Sequence, residues 1–317
     1  MGFFDKLAIG VAAMAGAAAV AGWVLSAPQR LDEVTVASLG TGDAARGERI
    51  FWAGGCTSCH AKPGSQGEDR LQLAGGVQLK TPFGIFVAPN ISQDPADGIG
   101  NWSVGDLANA MLKGVSPDGS HFYPAFPYAS YARMKSADIA DLFAYMKTLP
   151  AVPGKAAGHQ LSFPFNIRRG LGLWKLLYLS DQPVVSFPEG TDEKILAGRY
   201  LVEGPGHCGE CHTPRDFIGG PEKSQWLAGA VAAEGQGNVP NITGGEGGID
   251  GWSAGDIAYL LESGFTPDFD SVGGSMVEVQ KNMARLAQED RAAIAAYLKA
   301  VPPHANGYPA RGQAVGQ

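Results

Sequence analysis

The chain is poor in cysteine, in charge and in regular alternation. Only four cysteines occur in 317 residues, too few and too closely paired for a disulfide framework that staples distant segments. Charged residues are 17% of the total, and 31 Asp and Glu against 24 Lys and Arg leave a formal charge of −7. That balance gives a nucleic-acid partner no electrostatic support. No G-x-G-x-x-G opens a helix after a strand, no phosphate loop is present, and no Ser-His-Asp set is visible. No run alternates apolar and polar residues for long enough to need a sheet. The chain expected is therefore mostly α.

A further absence is charge between residues 7 and 25, LAIGVAAMAGAAAVAGWVL. About 19 uncharged residues approach the length that crosses a bilayer as a helix. A cleaved signal peptide is the competing reading, but Pro28 follows the best small-residue site, Ser26-Ala27. An uncleaved anchor over residues 1–27 is expected, and Lys6 favours the N-terminus inside and the bulk outside.

What the chain does have in quantity is glycine (45) and proline (21), which argue for short helices and much loop. It also repeats itself with a shift of about 150 residues. RGERIFWAGGCTSCH (46–60) corresponds to AGRYLVEGPGHCGECH (197–212), the stretch 88–119 to 239–268, and SADIADLFAYMKTLP (136–150) to QEDRAAIAAYLKAVP (288–302). Two tandem domains follow, residues 41–152 and 191–303, joined by a linker at 153–190 and followed by a tail at 304–317. In each copy a first helix (43–53 and 192–203) runs into a cysteine pair. Ser103 with Asp106, and Ser253 with Asp256, form capping boxes for a middle helix. A last helix (136–148 and 288–300) stops at Pro150 or Pro302. Loops of this length in a small domain require something to fill the middle.

All four cysteines lie in Cys-x-x-Cys-His, at Cys56, Cys59, His60 and at Cys208, Cys211, His212. Zinc would need four ligands per site, and each copy offers only two Cys and one His close together. A redox dithiol would open a helix in a βαβ unit, which is absent. The same pattern is the attachment signal for haem c, in which two thiols bond the vinyl groups and the next histidine lies under the iron. Two covalently bound haem c groups are expected, and they supply the missing core.

A second axial ligand has to come from a loop late in each domain, before the last helix. In the second domain Met276 is preferred over Met283, whose competing role is packing. In the first, Met134 ranks ahead of His121, and an open iron ranks third; Met111 and Met146 fall within helices and read as core. His207 adjoins Cys208 and lies near the haem edge, whereas His159 and His304 read as solvated. Trp102 and Trp252 read as core residues at helix starts. The recurrent Pro89-Asn90 and Pro240-Asn241 read as loop fixers. The linker's SFPFNIRRGLGLWKLLYLS is too short to span a bilayer. It suits the membrane surface, the underside of a partner, or packing between the domains.

The strings TPFGIFVAPNISQDPADGIGNWSVGDL (81–107), SPDGSHFYPAFPYASY (116–131) with Met134, and FPFNIRRGLGLWKLL (163–177) resemble the membrane-associated cytochrome c subunits of bacterial alcohol, aldehyde, gluconate and related periplasmic dehydrogenases. The resemblance covers nearly the whole chain after the anchor. It implies a subunit that accepts electrons from a dehydrogenase's catalytic subunit and passes them to quinone, another cytochrome or an oxidase. It also implies an inner-membrane location with the haem domains in the periplasm. Two departures stand out: the familiar relatives carry three haems where this chain has two motifs, and many have Met where this chain has Phe126. A di-haem enzyme of the peroxidase or thiosulfate-oxidising type, and a tethered shuttle between a cytochrome complex and an oxidase, are the alternatives.

Overall fold

An uninterrupted helix, α1 (Phe3–Leu25), opens the computed structural model, which describes residues 2–308 apart from 234 and 236. Residues 309–317, most of the expected tail, lie outside the described residues. The 23 residues of α1 span about 35 Å at 1.5 Å per residue, and no part of its apolar stretch is buried. It is long and apolar enough to cross a membrane, a test that a signal sequence also passes.

The rest is mostly helical and repeats in space as it does in sequence. After α2 (Glu33–Ala37), Asp43 caps α3 (Ala44–Ala53) by accepting from Arg46 N at 3.0 Å. Gly55, in the left-handed region at φ 57°, turns the chain directly into α4 (Cys56–His60), a turn that glycine makes without a Cβ clash. A hairpin of β1 (Gln78–Thr81) and β2 (Gly84–Val87) pairs Gln78 with Val87. The capping box of Ser103 and Asp106 opens α5 (Val104–Ala108), continued by a π turn over Asn109–Lys113. Then come α6 (Tyr128–Tyr131) and α7 (Ser136–Met146). The linker adds β3 (Gln160–Leu161) to the edge of β2 and forms α8 (Leu171–Tyr178).

The second half opens on α9 (Glu193–Glu203) and α10 (Gly209–His212), followed by the two-residue strands β4 (Ala230–Val231) and β5 (Asn238–Val239). Ser253 and Asp256 form the matching capping box of α11 (Ala254–Ser263), and α12 (Met276–Met283) and α13 (Gln288–Ala300) complete the chain. The strands were not expected. They are two to four residues long, too short for alternation to register in a sequence.

α3 crosses α7 and α9 crosses α13. Both crossings depend on a glycine at the same place in the repeat. A Cβ on Gly47 would lie 1.9 Å from Asp141 O, and one on Gly198 would lie 1.9 Å from Ala293 O. The backbones approach closely because no side chain intervenes. A single apolar core runs through both halves, from Phe51, Ile139 and Leu142 to Leu201, Ile294 and Tyr297. Polar contacts cross the same boundary: Arg49 forks onto Asp290 at 2.7 and 2.8 Å, and fully buried Asn282 accepts from Thr57 Oγ1 at 2.7 Å and donates to Ser58 Oγ at 2.8 Å.

Candidate functional site

In α4, Cys56, Cys59 and His60 occupy positions i, i+3 and i+4 of one helical turn, which share a helix face. Cys208, Cys211 and His212 take the same spacing at and within α10. Each histidine is then fixed by a backbone carbonyl on a distant loop. His60 Nδ1 donates to Pro89 O at 2.8 Å, and His212 Nδ1 donates to Pro240 O at 2.7 Å. The carbonyl sets the tautomer, so each Nε2 keeps its lone pair for a metal. The loops are themselves pinned. Asn90 donates to Val152 O and Gly154 O at 2.8 and 2.9 Å, Asn241 donates to His304 O at 2.8 Å, and each asparagine Oδ1 accepts the amide two residues on at 2.8 Å. The repeated Pro-Asn thus fixes a loop, as its sequence suggested, and its proline carbonyl also positions the histidine. That second role was not anticipated; the recurrence of Pro-Asn 29 and 28 residues after the two histidines was the available signal.

Electrostatics favour neutral side chains at both motifs. Burial pushes the Cys56 and Cys208 thiols up to about 12 and raises Cys59 as well. Burial also lowers His60 and His212 below the ordinary imidazole value, against the smaller opposing effect of their proline carbonyls. A dithiol redox centre needs a lowered thiol pKa, and these move the other way. Among the described residues no cluster of three or more Cys, His, Asp or Glu converges to hold a bare ion. Paired neutral thiols followed by a histidine with an oriented, unprotonated Nε2 fit a covalently attached haem.

The remaining predicted residues divide. Met134 is buried at 6% exposure in the core that half-buried Cys56 and Phe126 also adjoin, and a Cβ on Gly204 would lie 3.6 Å from its Cγ. Met276 is the first residue of α12, half-buried against the core, while Met283 is 4% exposed within the core. Met111 and Met146 are core residues, and Trp102 and Trp252 pack half-buried against that core.

His121, ranked second as the first domain's distal ligand, is buried at 3% exposure, with Nε2 donating to Ser26 O at 2.9 Å and Nδ1 accepting from Lys175 Nζ at 2.9 Å. Both ring nitrogens are occupied by the end of α1 and by α8. His159 is also not simply solvated, since Nδ1 accepts from Val87 N at 3.1 Å and the ring meets Phe86 and Tyr123 edge-on. His207 adopts φ 39° where the first copy has Gly55, and its Nε2 donates to Gly54 O at 3.2 Å. It therefore ties the residue before Cys208 to the residue two before Cys56.

The sequence model of the cytochrome c family matches residues 44–150. The chain is 55% identical to a diheme cytochrome c-type protein of Cereibacter sphaeroides over 90% of this chain and 94% of that one. It is 35% identical to the fructose dehydrogenase cytochrome subunit of Gluconobacter japonicus over 86% of this chain and 55% of that one. It is 32% identical to the cytochrome c subunit of the quinone-type alcohol dehydrogenase of Gluconobacter oxydans over 89% of this chain and 60% of that one. The chain thus spans little more than half the length of those two dehydrogenase subunits. With its His-orienting loops, its thiol pairs and a relative more than half identical over nearly the full length, this chain belongs to the cytochrome c family, among the diheme cytochromes and dehydrogenase cytochrome subunits.

Proposed function

We propose that the chain is a membrane-anchored di-haem cytochrome c that relays electrons from the catalytic subunit of a periplasmic dehydrogenase to the respiratory chain. Residues 41–152 and 191–303 form the two cytochrome c domains, 153–190 the linker and 1–27 an anchor in the bacterial inner membrane. Haem c, when bound, supplies a one-electron iron couple whose potential the protein sets. Cys56 and Cys59 hold the first group and Cys208 and Cys211 the second, each thiol adding S–H across a vinyl double bond to leave a thioether. His60 and His212, oriented by Pro89 O and Pro240 O, would bind the iron of each group, with Met134 and Met276 as the second protein ligands. Quinone, another cytochrome or an oxidase is the downstream acceptor.

The observation that carries this reading is the bond between the two motifs. His207 beside Cys208 reaches Gly54, and Asn282 of the Met276 helix grips Thr57 and Ser58 inside the first Cys-x-x-Cys-His. Two redox groups built on one shared core keep a fixed separation, which serves internal relay. The dehydrogenase partner is supported by the dehydrogenase cytochrome subunits among the relatives.

The test begins with haem stoichiometry. Alkaline pyridine spectra of the purified chain should give two haem c per polypeptide, and one after Cys208→Ser with Cys211→Ser. Native membranes, solubilised gently and separated as intact complexes, should then show haem stain comigrating with a flavin, quinoprotein or molybdenum dehydrogenase. Migration alone or with a terminal oxidase would sink the dedicated-subunit reading.

A further inference from the structure

Helix α8 is amphipathic in the wrong sense for a helix facing water. Its inward face carries Trp174, packed with Tyr128, and also the helix's one charge: Lys175 is 8% exposed, and its Nζ donates to Lys113 O and Gly114 O at 2.7 Å and to His121 Nδ1 at 2.9 Å. Its outward face carries Leu173, Leu176 and Leu177 at i, i+3 and i+4, with 44%, 60% and 68% exposure. Leading into the helix, Phe163, Phe165 and Ile167 are 78%, 43% and 52% exposed. A helix in contact with water places leucine inside and lysine outside. An exposed apolar patch of this continuity marks a protein or membrane contact.

The position of α8 distinguishes the two. The C-terminal end of α1 is clamped onto it. Gly172 meets Ser26 so closely that a Cβ would lie 2.2 Å from Ser26 O. Arg169 stacks on the Trp23 ring at 4.2 Å, and donates to Trp23 O at 2.6 Å and to Ser26 Oγ at 2.9 Å. Ser26 itself is 3% exposed. A helix of 23 residues matches the roughly 30 Å hydrocarbon core, so residues touching its last turn stand at the bilayer boundary.

From this juxtaposition we propose that the outward face of α8, with Phe163, Phe165 and Ile167, is a second membrane contact that lies in the lipid interface beside the exit of α1. This rests on the reading of α1 as a retained span. The occupant is the bilayer, because α8 is held against the last turn of α1, whose own apolar side chains are exposed. Arg168, exposed between Ile167 and α8, adds positive charge at headgroup level. Interfacial helices bind in this way, with the apolar side in the acyl boundary and basic residues among the phosphates. The two contacts fix the tilt of the haem-bearing body on the membrane, which a single flexible tether would not do.

The test uses the full-length chain in phosphatidylethanolamine–phosphatidylglycerol vesicles, with a nitroxide on single introduced cysteines and the unsubstituted chain as labelling blank. Leu173→Cys and Leu177→Cys report the proposed face, Val20→Cys reports α1, and Phe269→Cys reports a distant exposed site. Each variant is first shown to keep the wild-type haem spectrum. The expected result is that nitroxides at 173 and 177 collide with oxygen several-fold more than with a water-soluble nickel chelate, as at 20 and opposite to 269. Should 173 and 177 be as nickel-accessible as 269 while 20 stays shielded, α1 spans but α8 stands clear, and the proposal is wrong. Nickel access at 20 would remove the anchor reading itself. Spin–spin broadening between chains at 177 would assign the face to a second copy and equally overturn the lipid contact.

Discussion

At the scale of single residues, the partner of the second nitrogen decides what a histidine does. His60 and His212 each donate Nδ1–H to a proline carbonyl and keep Nε2; His121 has both nitrogens engaged. Substituting His121 by Ala should therefore leave both haem spectra unchanged while removing about 1–3 kcal/mol of stability, because buried Ser26 O and Lys175 Nζ lose a partner. Spectra and thermal melts on one sample check both halves of this. Met276→His should act oppositely: stability changes little, and the potential of one haem falls while the other holds, since a Met ligand raises potential within the roughly 0.8 V that axial ligation spans. A redox titration in which neither wave moved would remove Met276 from the iron. Lys175 gives a pH dependence. Burial lowers it from 10.5 to about 7, so between those values the unfolded chain holds more protons than the folded one and stability rises with pH. Burial also lowers His121, which extends the same sign downward below the ordinary imidazole range. The melting temperature should climb from about pH 7 towards about pH 10, and Lys175→Met should flatten that rise. The two Cys-x-x-Cys-His motifs were legible because their chemistry is local to five residues. The environment of His121 was not, since its partners lie 95 and 54 residues away. Nor was the proline carbonyl's role, because any residue can present a backbone oxygen.

At the scale of elements, the legible parts are those whose signals are periodic or punctuated. Both capping boxes formed as read; α13 ends at Ala300, two residues before Pro302, and α7 ends at Met146, a turn before Pro150. The short strands left no period to find. The linker's apolar run left three roles open because length alone cannot say which face of α8 is inside. The buried Lys175 settles that orientation, and an isolated sequence gives no reason to expect a lysine in the interior. The glycines at the two helix crossings make an element-scale prediction. Gly198→Val sets a branched side chain where even a Cβ would sit 1.9 Å from Ala293 O. The α9–α13 crossing must then separate, at a cost of more than about 3 kcal/mol. Accumulation of mature haem protein should drop sharply. The equivalent Gly47→Val should do the same through Asp141 O, whereas Gly273→Ala, with open space around it, should be tolerated. Haem-stained yields of the three variants decide this.

At the scale of the whole molecule, the sequence repeat reads as two tandem domains and a linker, and contacts tie the two halves together. The apolar core is continuous between them. Asn282 is fully buried and satisfied almost entirely by the other half, through Thr57 and Ser58, with Glu278 O as its one local acceptor. Arg49 and Asp290 add a forked, partly buried ion pair. Such cross-contacts should make unfolding a single cooperative event despite the duplicated sequence. Denaturant melts followed by haem absorbance and by helical circular dichroism should therefore superimpose. Asn282→Leu keeps the volume but removes the acceptor of the Thr57 hydroxyl, which keeps only Arg70 as donor, and the donor to Ser58 Oγ, costing about 1–3 kcal/mol at the boundary alone. Each half retains its own helix crossing, so the two melts should then separate into two transitions. If the wild-type curves already separate, the halves are thermodynamically independent and the shared boundary does not set their relative position. If they superimpose and Asn282→Leu splits them, the boundary that joins the two motifs also makes one folding unit of both haem sites.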